Sequence, residues 1–77
     1  MDNDSLRRVI TIVRSTGNLA AEIGADEDFY DAGFSSINAL QLLLELETAF
    51  DVAIPDDDFV TARTCAALHS LVQRLAQ

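Results

Sequence analysis

The chain has 77 residues, enough for one domain around one small core, because short chains bury a smaller share of their surface on folding. Thirteen Asp and Glu stand against five Arg and no Lys, for a formal net charge of -8; this excludes nucleic acid, whose phosphates need clustered cations, and either simply keeps a small protein soluble or attracts basic protein surfaces while repelling anionic membranes. One Cys and one His exclude an internal disulfide and a His/Cys metal site, and a polar, acidic segment from Met1 to Ser5 with no long apolar run predicts a cytoplasmic protein with neither leader nor membrane span.

From Ser5 to Ser15, Leu6, Val9, Ile10 and Val13 fall at i, i+3, i+4 and i+7, the stripe of an amphipathic helix, with Arg7, Arg8 and Arg14 off it. Asp4 is its expected N-cap, and Thr16, Gly17 and Asn18 its stop. Gly17 to Ser35 contains all three glycines and no sustained period, so it reads as a long connection of the kind that carries function in a compact domain. Leu19, Ile23, Phe29 and Phe34 pin it to the core, and Gly33 supplies a tight turn before the next helix. Ser36 to Phe50 has strong helix formers throughout and no Gly or Pro. Leu42, Leu43, Leu46, Ala49 and Phe50 make one apolar face; Ile37, Leu40 and Leu44 make a second, which either packs on the connection or stays exposed for a partner.

Asp51 to Pro55 leaves that helix, because Pro55 disfavours helical geometry at Ile54 and can open a new turn. Asp56, Asp57 and Asp58 then favour the start of a short helix reaching about Val60. Neither this run nor Asp26 to Gly33 has the alternating ligands, sixth-position Gly and twelfth-position Glu of a calcium loop, so no metal is expected. Leu68, Leu71, Val72 and Leu75 repeat the helical stripe from Thr64 or Cys65 onward, with Thr64 as N-cap. His69 reads as a surface residue and Cys65 as a packing residue. With no nucleophile, base and orienting acid to combine, the chain is not expected to be an enzyme.

The informative block is Asp31-Ala32-Gly33-Phe34-Ser35-Ser36-Ile37-Asn38-Ala39-Leu40, followed by the acidic helix and by Phe50-Asp51-Val52-Ala53-Ile54-Pro55-Asp56. A Ser in the first turn of a helix is exposed and sits where unsatisfied N–H groups and the helix dipole tolerate an anion. The block resembles the acyl carrier protein family, in which a Gly, an apolar residue, usually an Asp, the modified Ser and an apolar residue lead into the second helix, which closes on Phe-Asp-x-x-Ile-Pro-Asp. The resemblance covers nearly the whole chain and departs from the pattern at Ser35, where Asp is usual, and at Gln41, where Glu is frequent. It implies an all-α, four-helix acyl-carrier-protein-like bundle of three main helices and a short third one, with residues 1–77 as a single domain.

Mapped onto this chain, the resemblance places a 4'-phosphopantetheine arm, donated by coenzyme A, on Ser36, leaving Ser35 as the helix cap; the plainer alternative is that both serines only cap. Partner contacts are expected at Ile37, Leu40, Gln41, Leu44, Glu45, Glu47, Asp51 and Ile54, with Asp31 and Asp56 to Asp58 extending an acidic face. The implied partners are a phosphopantetheinyl transferase, an acyl- or aminoacyl-loading ligase or acyltransferase, and downstream synthase or tailoring enzymes, served by a monomer. The implied cargo is acyl or aminoacyl. The two departures favour specialised polyketide or other secondary metabolism, or an aminoacyl carrier, over fatty-acid synthesis. An unmodified acidic helical interaction module is the alternative from another class.

Overall fold

The computed structural model describes residues 3–19 and 22–76. Two residues of the polar N-terminal segment, 1 and 2, and two of the long connection, 20 and 21, lie outside the described residues. Four α-helices follow in order: α1 (Asn3–Gly17), α2 (Ala39–Phe50), α3 (Asp56–Thr61) and α4 (Cys65–Leu75), with a 3-10 turn, Ser36–Asn38, leading into α2. Among the described residues no strand forms, and extended backbone pairs only in an isolated bridge between Asp28 and Thr64. The expected all-α bundle is therefore what the chain adopts.

The stripe of α1 is buried as its period requires: Val9 and Val13 are fully enclosed and Leu6 and Ile10 flank them. The helix is longer than its stripe. Asp4 lies in the first turn instead of capping it, where a negative charge still complements the helix dipole. At the other end Gly17 is helical and Asn18 takes the left-handed conformation, with φ 53. Gly17 is needed for another reason: a Cβ there would overlap the ring of Phe34.

Helix α1 runs antiparallel to α2. Arg8 near the start of α1 donates from Nη2 to the Ala49 carbonyl at 2.9 Å and lays its guanidinium 4.7 Å from the centre of the Phe50 ring, near the end of α2. One carbonyl in the last turn of α2 thus finds a partner across the bundle. Leu42 and Leu46 enter the core from α2, Phe59 from α3, and Cys65, Leu68, Leu71 and Val72 from α4. Thr64 caps α4 as its side chain suggests, its Oγ1 accepting from the Ala67 amide at 3.0 Å. Cys65 is a packing residue, and burial pushes its thiol up to about 11. His69 departs from the surface position expected of it. It is half-buried, with Nε2 enclosed and no hydrogen-bond partner for that atom among the described residues. The cause is that α4 is embedded along most of its circumference, with Ala66, Ala67 and Gln73 also half-buried.

The connection from Gly17 to Ser35 is fastened at two places. Phe29, Tyr30 and Phe34 form an aromatic cluster, with ring centres 4.8 to 5.7 Å apart and the Phe34 ring edge-on to the other two, an arrangement favoured by the ring quadrupoles. Arg63, between α3 and α4, then clasps the connection. Its Nε meets Asp28 Oδ2 at 2.7 Å, its guanidinium lies 4.6 Å from the centre of the Tyr30 ring, and its carbonyl accepts from the Phe29 amide at 3.0 Å. The Ala66 amide adds a bond to Ala25 O at 2.9 Å.

Two outcomes follow from these contacts. Gly17→Ala gains helix propensity but forces the buried Phe34 ring to move, and overpacking of this kind costs about 1–3 kcal/mol; urea denaturation should show a net loss of stability. The hydrogen bond from Arg63, aided by the Tyr30 and Asp31 amides and opposed by desolvation, holds the Asp28 carboxyl below the usual aspartate range. A depressed folded-state value means that this contribution is present above the ordinary aspartate pKa of about 4 and is lost as pH falls through the folded value. Asp28→Asn should accordingly lower the melting temperature at neutral pH and flatten its decline on acidification, as followed by circular dichroism.

Candidate functional site

The site is built where the connection enters α2. Gly33 adopts φ 114, a conformation that L side chains rarely tolerate. The Phe34 amide bonds to Phe29 O at 2.9 Å while the Phe34 ring enters the core. With Phe34 buried and the chain turning, Ser35, Ser36 and Ile37 emerge into solvent.

The two serines differ in what their hydroxyls do. Ser35 is the N-cap, with extended backbone and Oγ accepting from the Ile37 amide at 3.2 Å; its carbonyl accepts from the Asn38 amide at 3.0 Å. For Ser36 Oγ no hydrogen bond is found among the described residues, and the residue is exposed. The first turn is 3-10, not the α-turn expected from Ser36 onward. Its amides are also less available than a bare helix start implies, since Ile37 and Asn38 are both bonded to Ser35.

Beyond Ser36 an apolar strip lies uncovered: Ile37 is 88% exposed, Leu40 65% and Leu44 48%. Val60 on α3, which the sequence did not single out, is a further large exposed apolar residue. Gln41 and Glu45 flank the strip one turn apart, joined by Gln41 Nε2 donating to Glu45 Oε2 at 2.7 Å.

Of the residues expected among the surface contacts, Ile54 lies in the core and Glu47 is partly withdrawn. Ile54 is 5% exposed and belongs to the core, because the segment after α2 folds inward before Pro55 starts α3. Glu47 is half-buried, and its Oε2 accepts from the Ile54 amide at 2.9 Å while its carbonyl accepts from Val52 at 3.2 Å. It ties down the end of α2, so its carboxylate is partly spent within the chain. Asp51 stays exposed in the left-handed conformation, φ 54, its amide bonded to Glu47 O. The Arg63 clasp had one signal in the sequence: of five Arg, it alone lies outside the helices.

Removal of a serine N-cap costs about 1 kcal/mol. Ser35→Ala should lose that much in chemical denaturation, whereas Ser36→Ala should leave the unmodified protein's stability unchanged.

The family model described as the phosphopantetheine attachment site matches residues 7–72. The chain is similar to an acyl carrier protein of Syntrophobacter fumaroxidans, 35% identical over a 54-residue alignment that covers 60% of this chain and 67% of that protein. It is also similar to an aminoacyl carrier protein of Agrobacterium fabrum, 33% identical over 55 residues, 71% of this chain and 66% of that protein. The matches thus span about two thirds of each relative.

Proposed function

This chain belongs to the phosphopantetheine attachment-site family and is a carrier protein, and from that premise we propose that Ser36 Oγ is the atom that bears its 4'-phosphopantetheine. The observation that carries the assignment is the division of labour between neighbouring hydroxyls: Ser35 Oγ is engaged in the cap, while Ser36 Oγ is exposed and without a partner among the described residues. The residues suit a phosphodiester there. The Ser36 amide is left unbonded by the turn, no acidic side chain occupies the first turn of the 3-10 segment, and the start of α2 carries the positive end of the helix dipole.

When bound, the group supplies a terminal thiol that holds cargo as a thioester. The chain's own residues provide its presentation. Phe34 and Gly33 anchor the approach, Ser35 stiffens the first turn, and Ile37, Leu40 and Leu44 offer partner enzymes an apolar strip beside the tether. Glu45, with Asp51 at the far end of α2, adds charge that steers basic surfaces and weakens with salt. The partners of this reading are a phosphopantetheinyl transferase, a loading ligase or acyltransferase, and downstream synthase or tailoring enzymes, in the cytoplasm. The cargo is acyl or aminoacyl and belongs to specialised metabolism, a reading supported by Ser35 and Gln41 at positions where the wider family favours acids.

Intact mass spectrometry tests the assignment. Incubation with coenzyme A, magnesium and a broad-specificity transferase should add the mass of one phosphopantetheine to the wild type and to Ser35→Ala, and nothing to Ser36→Ala. A wild type that gains no mass would instead favour an unmodified interaction module.

A further inference from the structure

Helices α1 and α2 do not close on each other along their full length. Between them runs a groove of about 440 Å³ lined by Thr11, Ile12, Ser15, Thr16, Gln41 and Glu45. Antiparallel packing sets Arg8 against Ala49 at the end of α2 remote from Ser36, so the groove occupies the nearer part of the same seam. Five of its six lining residues carry hydroxyl, amide or carboxylate groups. An alkyl chain laid here would desolvate those groups without satisfying them.

Glu45 gives the groove its sign. The Gln41 amide nitrogen holds Glu45 Oε2 at 2.7 Å, which orients the carboxylate and leaves Oε1 with no hydrogen bond found among the described residues. A carboxylate accepts about four hydrogen bonds in all, so capacity remains. Glutamate at position 41 would set two like charges one turn apart; Gln41 keeps a single charge and adds a carbonyl acceptor. The lining therefore suits a small group with several donors and a positive charge, which is the description of an α-ammonium.

We infer that this groove is a cargo subsite, in which Glu45, supported by Gln41 and the Thr11, Ser15 and Thr16 hydroxyls, receives the ammonium of an aminoacyl group carried on Ser36. The inference rests on Ser36 being the tether. At 1.5 Å rise per helical residue, Glu45 lies about 14 Å along the axis from Ser36, within the span of an extended phosphopantetheine chain. Tethering raises the local cargo concentration to roughly the millimolar range, so an exposed contact too weak to capture a free amino acid is still populated. Neutral acyl cargo gains nothing here, and cargo bearing a second carboxylate is repelled.

The test compares two arms of nearly equal shape, glycyl and propionyl, each joined through a stable amide and installed by the transferase from the matching coenzyme A analogue. Intact mass verifies loading, and amide resonances are recorded near pH 6.5, below the usual α-amino pKa of about 7.7–8.0. The glycyl arm should shift Thr11, Ile12, Ser15, Thr16, Gln41 and Glu45 relative to the propionyl arm. The difference should fall several-fold in Glu45→Gln and at about 1 M salt, where screening acts within about 3 Å, and should persist in Asp4→Asn, an exposed acid two turns away on α1. Equal shifts from both arms, or a difference that survives in Glu45→Gln, would overturn the subsite while leaving the tether standing. Failure of both arms to add mass would overturn the subsite and the tether together.

Discussion

Burial of the Phe34 ring holds the rest of the arrangement in place. The ring fills the space over Gly17, meets Phe29 and Tyr30 edge-on, and leaves only 3% of its residue surface to solvent. A fully buried aromatic of this size contributes on the order of 1.5–3 kcal/mol. It also acts as a pivot: because position 34 is fixed inside and Gly33 has turned the chain, positions 35 to 37 have to point outward. Presentation of Ser36 is thus a consequence of core packing, transmitted across two residues of backbone.

The cations are deployed in a related way. Arg8 holds the end of α2, Arg63 clasps the connection, and Arg74 lies 3.8 Å from Asp58 in an exposed pair of a kind that adds little stability. Three of the five positive charges therefore work inside the chain, on carbonyls, rings and carboxylates. The α2 surface beside Ser36 contributes no cation of its own, so its acids act outward without local neutralisation.

Helices α1 and α4 were legible because their apolar residues repeat at the helical period, and burial of Val9, Val13, Leu68 and Val72 follows from that period. Thr64 and Ser35 were legible as caps because a side-chain oxygen before a helix has one economical use. Other features depend on contacts distant in the chain, which periodicity does not encode. Asp28 and Arg63 are 35 positions apart, and nothing in either segment announces the other. Gly17 looked like a helix stop, and only the packed position of Phe34 reveals the steric need. Ile54 lies in the core and not at the surface expected of it, because the segment after α2 turns inward, where its amide bonds to Glu47; Pro55 indicates a break but not its direction. The 3-10 geometry of the first turn was equally hidden, because the same residues favour both kinds of turn.

Cys65 has a bearing on chemical compatibility. A thioester is discharged by attack of a thiolate, and exchange between sulfurs proceeds only as fast as the attacking thiol ionises and gains access. Fully enclosed, and with ionisation suppressed well beyond neutral pH, Cys65 cannot intercept cargo by transthioesterification or capture the arm in a mixed disulfide. The bundle thus holds a sulfur of its own in a form inert toward the thioester chemistry proposed for the arm on Ser36.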